Sequence, residues 1–327
     1  MRCHGGVIGS RGAGVPGSGS GGWWVGVPPA AGAVVMATGI VSVGLRLVGQ
    51  AVLSWVLVGL AAVGWGVLAV AFGLTFVRDR GRWRAHADTP AALCAVAATA
   101  VLGTRAALEG WVTGAGVLLA VAALAWPGLL VAVLRHWQHH LPGAVFLVCV
   151  ATNGLAVLAA TLGTIQHRDW LTWCALAAFV LGLGLYLAAL TRFDLRQVED
   201  GLGDQWIAAG ALAISALAAA KLTAWPHWTG AAHATLRGTA LVLLVLALPW
   251  FVVLLGAEVR HPRPHYNLRR WATVFPLGMT AVATLSVGSA TGVHWLRPLG
   301  QVLLWIAVAA WAVTAALLVA TSLRRSR

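Results

Sequence analysis

The sequence predicts an all-α integral membrane protein, ten transmembrane helices paired into five helical hairpins around a central axis. Three observations predict it. Apolar residues make up 60% of the 327 positions and charged residues only 9%. The apolar positions gather into runs of about 20 residues, the length a helix needs to cross ~30 Å of hydrocarbon. Runs rich in small residues alternate with runs rich in Leu, Val and Trp, an internal repeat of roughly 60 residues.

Residues 1–27 are rich in Gly and Ser and lack the continuous apolar core of a signal peptide, so they are expected to form a disordered cytoplasmic tail. The transmembrane unit is expected over 28–322 and a short basic cytoplasmic tail over 323–327. The ten spans run from Pro28 to Gly49, Ala51 to Val77, Pro90 to Leu108, Trp111 to Leu134, Pro142 to Thr164, Trp170 to Leu190, Gln205 to Leu222, Leu236 to Ala257, Trp271 to Gly292, and Trp295 to Ala320. Odd spans open with a proline and carry a small-polar step about nine residues later: Pro29 with Thr38, Pro90 with Thr99, Pro142 with Thr152, Pro276 with Thr284. Span seven keeps Ser215 without the proline. Even spans are greasy, which places them against lipid and the odd spans around the axis.

Nine residues at ~1.5 Å each put the polar step roughly 14 Å into the core, near the bilayer midplane. Thr38, Thr99, Thr152, Ser215 and Thr284 then either line the axis or make ordinary polar contacts between membrane helices. Repetition at matching depth favours lining. Asn153, a lone mid-depth amide on an odd span, either faces solute or bonds a neighbouring helix. Phe275, on an odd span where only Phe146 is its like, is either a core ring or a plug that blocks the axis by sterics and dewetting.

Charge sets orientation and limits function. The net charge of +13 lies at span ends, with sixteen of the 22 Lys and Arg on one side of a ten-span count, so both termini are expected in the cytoplasm. This is a topological signal, and nucleic acid is not an expected partner. Arg46, Arg105, Arg168, Lys221 and Arg297 fall at the outer ends of the five odd spans. They form a basic vestibule that would concentrate anions, or else snorkel to lipid phosphate. The nine acids lie at span ends or in loops, so no carboxylate is available mid-membrane for cation coupling. His136, His139 and His140 sit in a basic loop without a paired Glu or Cys, and the four cysteines form no CxxC pair, so neither a metal nor another cofactor is expected.

The stretches Pro29-Ala-Ala-Gly-Ala-Val-Val-Met-Ala-Thr-Gly-Ile-Val-Ser42, Val150-Ala-Thr-Asn-Gly-Leu-Ala-Val157 and Arg270-Trp-Ala-Thr-Val-Phe-Pro-Leu-Gly278 resemble the tellurite-resistance/C4-dicarboxylate transporter family. That family includes the plant slow-type anion channels, yeast malate permease and fungal sulfite efflux pumps. The resemblance covers about residues 28–322. It implies quasi-fivefold symmetry, a pore lined by the odd helices, a homotrimer with one pore per subunit, and a gating phenylalanine, here Phe275. Asn153-Gly154 and the missing proline of span seven depart from the pattern. The expected function is a multi-pass plasma-membrane channel for small inorganic or carboxylate anions and not an enzyme. A secondary carrier for dicarboxylate, sulfite or tellurite is the alternative.

Overall fold

The protein is described by a computed structural model covering residues 22–138, 140–200, 203–261 and 266–325. Most of the expected N-terminal tail, His139, Arg263 and the last two residues lie outside the described residues. Among the described residues, ten helices are long and apolar enough to cross a membrane: α1 (Pro29–Leu47), α2 (Ala51–Arg78), α3 (Pro90–Leu108), α4 (Val112–Arg135), α5 (Gly143–Gln166), α6 (Asp169–Leu190), α7 (Trp206–Thr223), α8 (Gly230–Arg260), α9 (Leu268–Thr291) and α10 (Leu296–Arg324). Among the described residues there is no β-strand, only a single bridge between Leu141 and Phe193 that ties the loop after α4 to the loop after α6.

Helix entry follows local chemistry. Pro29 and Pro90 begin short 3₁₀ turns that lead into α1 and α3. Their fixed φ suits a first turn, and their missing N–H is no loss where it would have no partner. Pro142 precedes a similar turn into α5. Pro276 does not follow this rule: it lies inside α9, five residues after Trp271. The proline expected to open span nine instead removes a hydrogen bond from the helix interior. A second difference is the start of α8, which extends back to Gly230 and brings Arg237 within reach of the Thr291 carbonyl at the end of α9. A guanidinium there satisfies one of the carbonyls a helix C-terminus leaves free.

Burial separates the two kinds of helix. In α1, α3, α5, α7 and α9, between 72% and 100% of the apolar span is buried; in the even helices the share is 17% to 33%. Exposed Val52, Val63, Leu124, Val245 and Val313 all lie on even helices, as a lipid-facing surface requires. Each even helix packs along the odd helix that precedes it and also touches the odd helix that follows. The odd helices pack in the order α1, α3, α5, α7, α9 and back to α1, so they form a closed inner ring with the outer helices around it.

Small residues let the ring close. A Cβ on Gly39 would come within 2.8 Å of Val101, one on Gly210 within 2.9 Å of Pro276, and one on Gly278 within 2.9 Å of Ile40. Between membrane helices, where dispersion and not the hydrophobic effect drives packing, such close approach is the main source of cohesion. The same contacts fix register. Gly278 stands against Ile40 and Gly44 against Val282, which sets Phe275 level with Ala37 and Thr284 level with Arg46.

Candidate functional site

The inner ring encloses a small axial cavity of about 20 Å³. Every odd helix contributes to it: Ile40 and Val43 from α1, Val101 and Thr104 from α3, Val157 from α5, Ile214 and Leu217 from α7, and Met279 from α9. Phe275 precedes Met279 by four residues and shares its helix face. It is 1% exposed, among the largest fully buried side chains. Level with Ala37, it lies eight residues, about 12 Å, from the Pro29 end of α1.

The threonines are engaged elsewhere. Thr38, Thr99 and Thr152 are buried, and each hydroxyl accepts a hydrogen bond from a tryptophan Nε1 on an outer helix: Trp311 to Thr38 at 3.0 Å, Trp65 to Thr99 at 2.8 Å, Trp126 to Thr152 at 2.9 Å. In all three the donor is the outer helix just before the threonine's own helix, with α10 serving α1. The expected polar ring is therefore replaced, at these positions, by indole clamps between outer and inner helices. An indole N–H within hydrocarbon needs an acceptor, and the mid-span positions of Trp65, Trp126 and Trp311 are the signal in the sequence that points to these bonds. Thr284, set level with Arg46, lies outward of the others and donates to the Thr280 carbonyl at 2.7 Å.

Ser215 and Asn153 form a different unit. Asn153 Nδ2 donates to Ser215 Oγ at 2.8 Å and approaches Cys149 Sγ at 3.4 Å, while Asn153 Oδ1 is buried without a partner. A Cβ on Gly182 would lie 2.6 Å from the amide, so Asn153 leans outward into a notch on α6. The amide thus bonds a neighbouring helix.

The five basic residues do not share one vestibule. Lys221 and Arg297 line a cavity of about 680 Å³ at the ends of α1, α7, α9 and α10, together with Ser286, Ser289 and His294. Arg168 lies on the outer flank, in a groove between α4 and α6. Arg105 is 1% exposed. Its Nη1 donates to Glu109 Oε1 at 2.6 Å, its Nε and Nη2 reach the Ser42 and Ser54 hydroxyls at 3.1 to 3.2 Å, and its guanidinium lies over Trp55. Arg46 Nε donates to the same Glu109 oxygen at 2.7 Å. Arg105 is a structural cation and Arg46 is half neutralised, because the acid at 109 sits one turn beyond Arg105 on the same helix face. The hydrogen bond from Arg46, with that from Arg105 and the charge of both, holds Glu109 below the usual carboxylate range against the opposing effect of burial.

Among the described residues, no three or more His, Cys, Asp or Glu converge as metal ligands. His136 stands 3.7 Å from Asp88, both substantially exposed. Cys94, Cys149 and Cys174 are free.

Comparison with known proteins agrees with this architecture. The family described as Voltage-dependent anion channel matches over residues 26–319. Two curated relatives, uncharacterized membrane proteins of Mycobacterium tuberculosis strains CDC 1551 / Oshkosh and ATCC 25618 / H37Rv, are each 30% identical over 138 residues, covering 40% of this chain and 69% of the relative. With ten apolar helices, a closed inner ring and a family match over nearly its whole length, this multi-pass membrane protein belongs to the voltage-dependent anion channel family of anion channels and transporters.

Proposed function

We propose that the protein passes small anions along the axis of the inner ring and that Phe275 closes this path. One observation carries the reading: all five inner helices converge on an axial cavity, and the fully buried ring of Phe275, on the same face of α9, lies one turn away. A cavity of about 20 Å³ holds one water at most, and its wall is apolar apart from Thr104. Such a constriction resists a hydrated ion by dewetting. The negative face of an aromatic ring adds an electrostatic penalty for an anion.

Approach to this constriction is assigned to the cavity of Lys221, His294 and Arg297. Lys221 is the chain's single lysine among 21 arginines, and a compact ammonium draws anions without the bidentate grip that would hold them. Weak contact followed by an apolar constriction favours monovalent anions that shed water cheaply. The family resemblance supports a homotrimer with one path per subunit, and the loop charges support cytoplasmic termini in a plasma membrane. No catalytic role is proposed.

The test is anion flux from purified protein in liposomes under a salt gradient, wild type against Phe275→Ala, with chloride, nitrate, sulfite and malate. Phe275→Ala is expected to raise conductance with little change in anion preference, and Lys221→Gln to lower flux most at low ionic strength. A normally folded Phe275→Ala that conducts no more than wild type removes the gate. Slow, saturable uptake of one substrate driven by a pH gradient makes the protein a carrier.

A further inference from the structure

Outside the inner ring, an apolar groove lies where α4 and α6 stand apart over α5. Its volume is about 550 Å³, against about 150 Å³ for the corresponding groove between α2 and α4 over α3. The difference lies in side-chain size. The smaller groove is occupied by Trp65, Leu68, Phe72 and Val121, whereas α4 offers Gly116, Ala120 and Ala123 to the larger one, and α6 offers Cys174 and Ala178. A Cβ on Gly116 would meet nothing within 4 Å.

Along α5 the groove extends from Leu155 to Gln166, eleven residue steps or about 16 Å. That is half of a ~30 Å hydrocarbon core. It therefore begins at mid-depth, beside Trp126 and Pro127, and opens at one membrane surface between Arg168 and Trp170. Arg168 is exposed, and its guanidinium has no partner among the described residues. Trp170 is 58% exposed, as suits an interfacial anchor.

We propose that this groove holds one phospholipid of the adjoining leaflet, an acyl chain lying along α5 and its phosphate on Arg168. Depth favours this occupant over a second copy of the chain: a helix from a partner would run through both leaflets, whereas the groove ends at the midplane. Charge favours it as well. A protein partner would have to bury an unpaired guanidinium, at a large desolvation cost, while a lipid phosphate accepts bidentate hydrogen bonds in the guanidinium plane. The small residues of α4 and α6 are then the walls of a lipid slot. The assignment does not depend on what passes along the axis.

The full chain, purified in mild detergent and exchanged into micelles carrying equal amounts of phosphatidylglycerol and phosphatidylethanolamine, is assayed by native mass spectrometry for lipid retained per chain. Wild type is expected to retain about one lipid and to favour phosphatidylglycerol, and Arg168→Gln to retain about fivefold less of it, the worth of one cation near an anionic surface. Gly116→Leu with Ala120→Leu fills the groove from its lipid side and is expected to lose both lipids while keeping the wild-type melting temperature. Equal retention in all three proteins overturns the proposal. So does a groove-filled protein whose oligomeric mass falls while lipid per chain is unchanged, since that assigns the groove to a second copy. If the double variant misfolds, Arg168→Gln, at an exposed position, decides alone.

Discussion

Replacing Glu109 by alanine is expected to cost far more than replacing Arg105 by methionine, although the two side chains form one ion pair. Glu109→Ala leaves the Arg105 guanidinium, 1% exposed, without its carboxylate. Removing one partner of a buried pair costs about 3 to 5 kcal/mol. The lower end applies here, because the Glu109 side chain keeps 16% exposure and water screens the site. Arg105→Met strands nothing. Ser42 Oγ still donates to the Ser54 carbonyl and Ser54 Oγ to the Ser42 carbonyl, each at 2.8 Å, and Glu109 keeps Arg46. A methionine in place of the guanidinium stem can also pack on Trp55, so this change is expected to stay within about 1 kcal/mol. In the Arg105→Met background, Glu109→Ala removes only the more exposed bridge to Arg46, about 0.5 kcal/mol. At roughly 2 °C per kcal/mol for a chain of this size, the melting temperature in detergent falls by about 6 °C for Glu109→Ala, by about 2 °C or less for Arg105→Met, and by little more for the double variant. Equal losses for the two single variants, or a double variant equal to their sum, would refute the reasoning. The pH dependence has a definite sign. Glu109 has a folded pKa below its ordinary 4.5, so its contribution is complete above that value and disappears as pH falls through the lowered one. The difference between wild type and Glu109→Gln is therefore expected to be constant near neutrality and to shrink below about pH 4.5.

Two further outcomes follow from the mid-membrane contacts. Gly182→Ala places a methyl 2.6 Å from the Asn153 amide and is expected to lower stability by about 1 to 3 kcal/mol, as overpacking does. Asn153→Ala in the same chain restores most of it, and a thermal shift that is merely additive contradicts the notch. Trp126→Phe removes one indole clamp, but Thr152 Oγ1 still donates to the Val148 carbonyl at 2.7 Å. Its cost is therefore expected near 0.6 kcal/mol, the average for a hydrogen bond between membrane helices, and a loss as large as that for Glu109→Ala argues against a simple clamp.

The architecture was legible because two strong periodicities coincide. Runs of about 20 apolar residues can only be membrane helices in a chain with 9% charge, and the alternation of small and bulky runs anticipates which face the axis. Side-chain direction was not legible. Thr38, Thr99 and Thr152 lie at the depth expected near the midplane, yet depth says nothing about the angle around a helix axis, and the tryptophans that turn them outward lie 26 to 273 residues away in the chain. The basic residues failed as a group for a related reason: position at a helix end does not reveal that Glu109 and the pair Ser42 and Ser54 would draw Arg105 inward. Pro276 misled because the other span prolines begin helices, while in α9 three residues of 3₁₀ helix and a further turn precede it.

The indole clamps are distributed unevenly, and that has a mechanical meaning. They fix α1, α3 and α5 to neighbouring outer helices. Among the described residues no such bond reaches α7 or α9, and α9 carries Phe275 with Pro276 beside it, a rung already missing from its own ladder. Three consecutive staves of the ring are riveted to the hull at their threonines, whereas α7 bonds its ring neighbour through Ser215 and Asn153, and α9 meets the hull through Arg237 at its last carbonyls. A rotation of α9 past Gly210 breaks no indole bond, whereas the same rotation of α3 or α5 breaks one at each step. Under the proposed function, the helix that carries Phe275 is thus one of the two that no indole bond fixes to the outer layer.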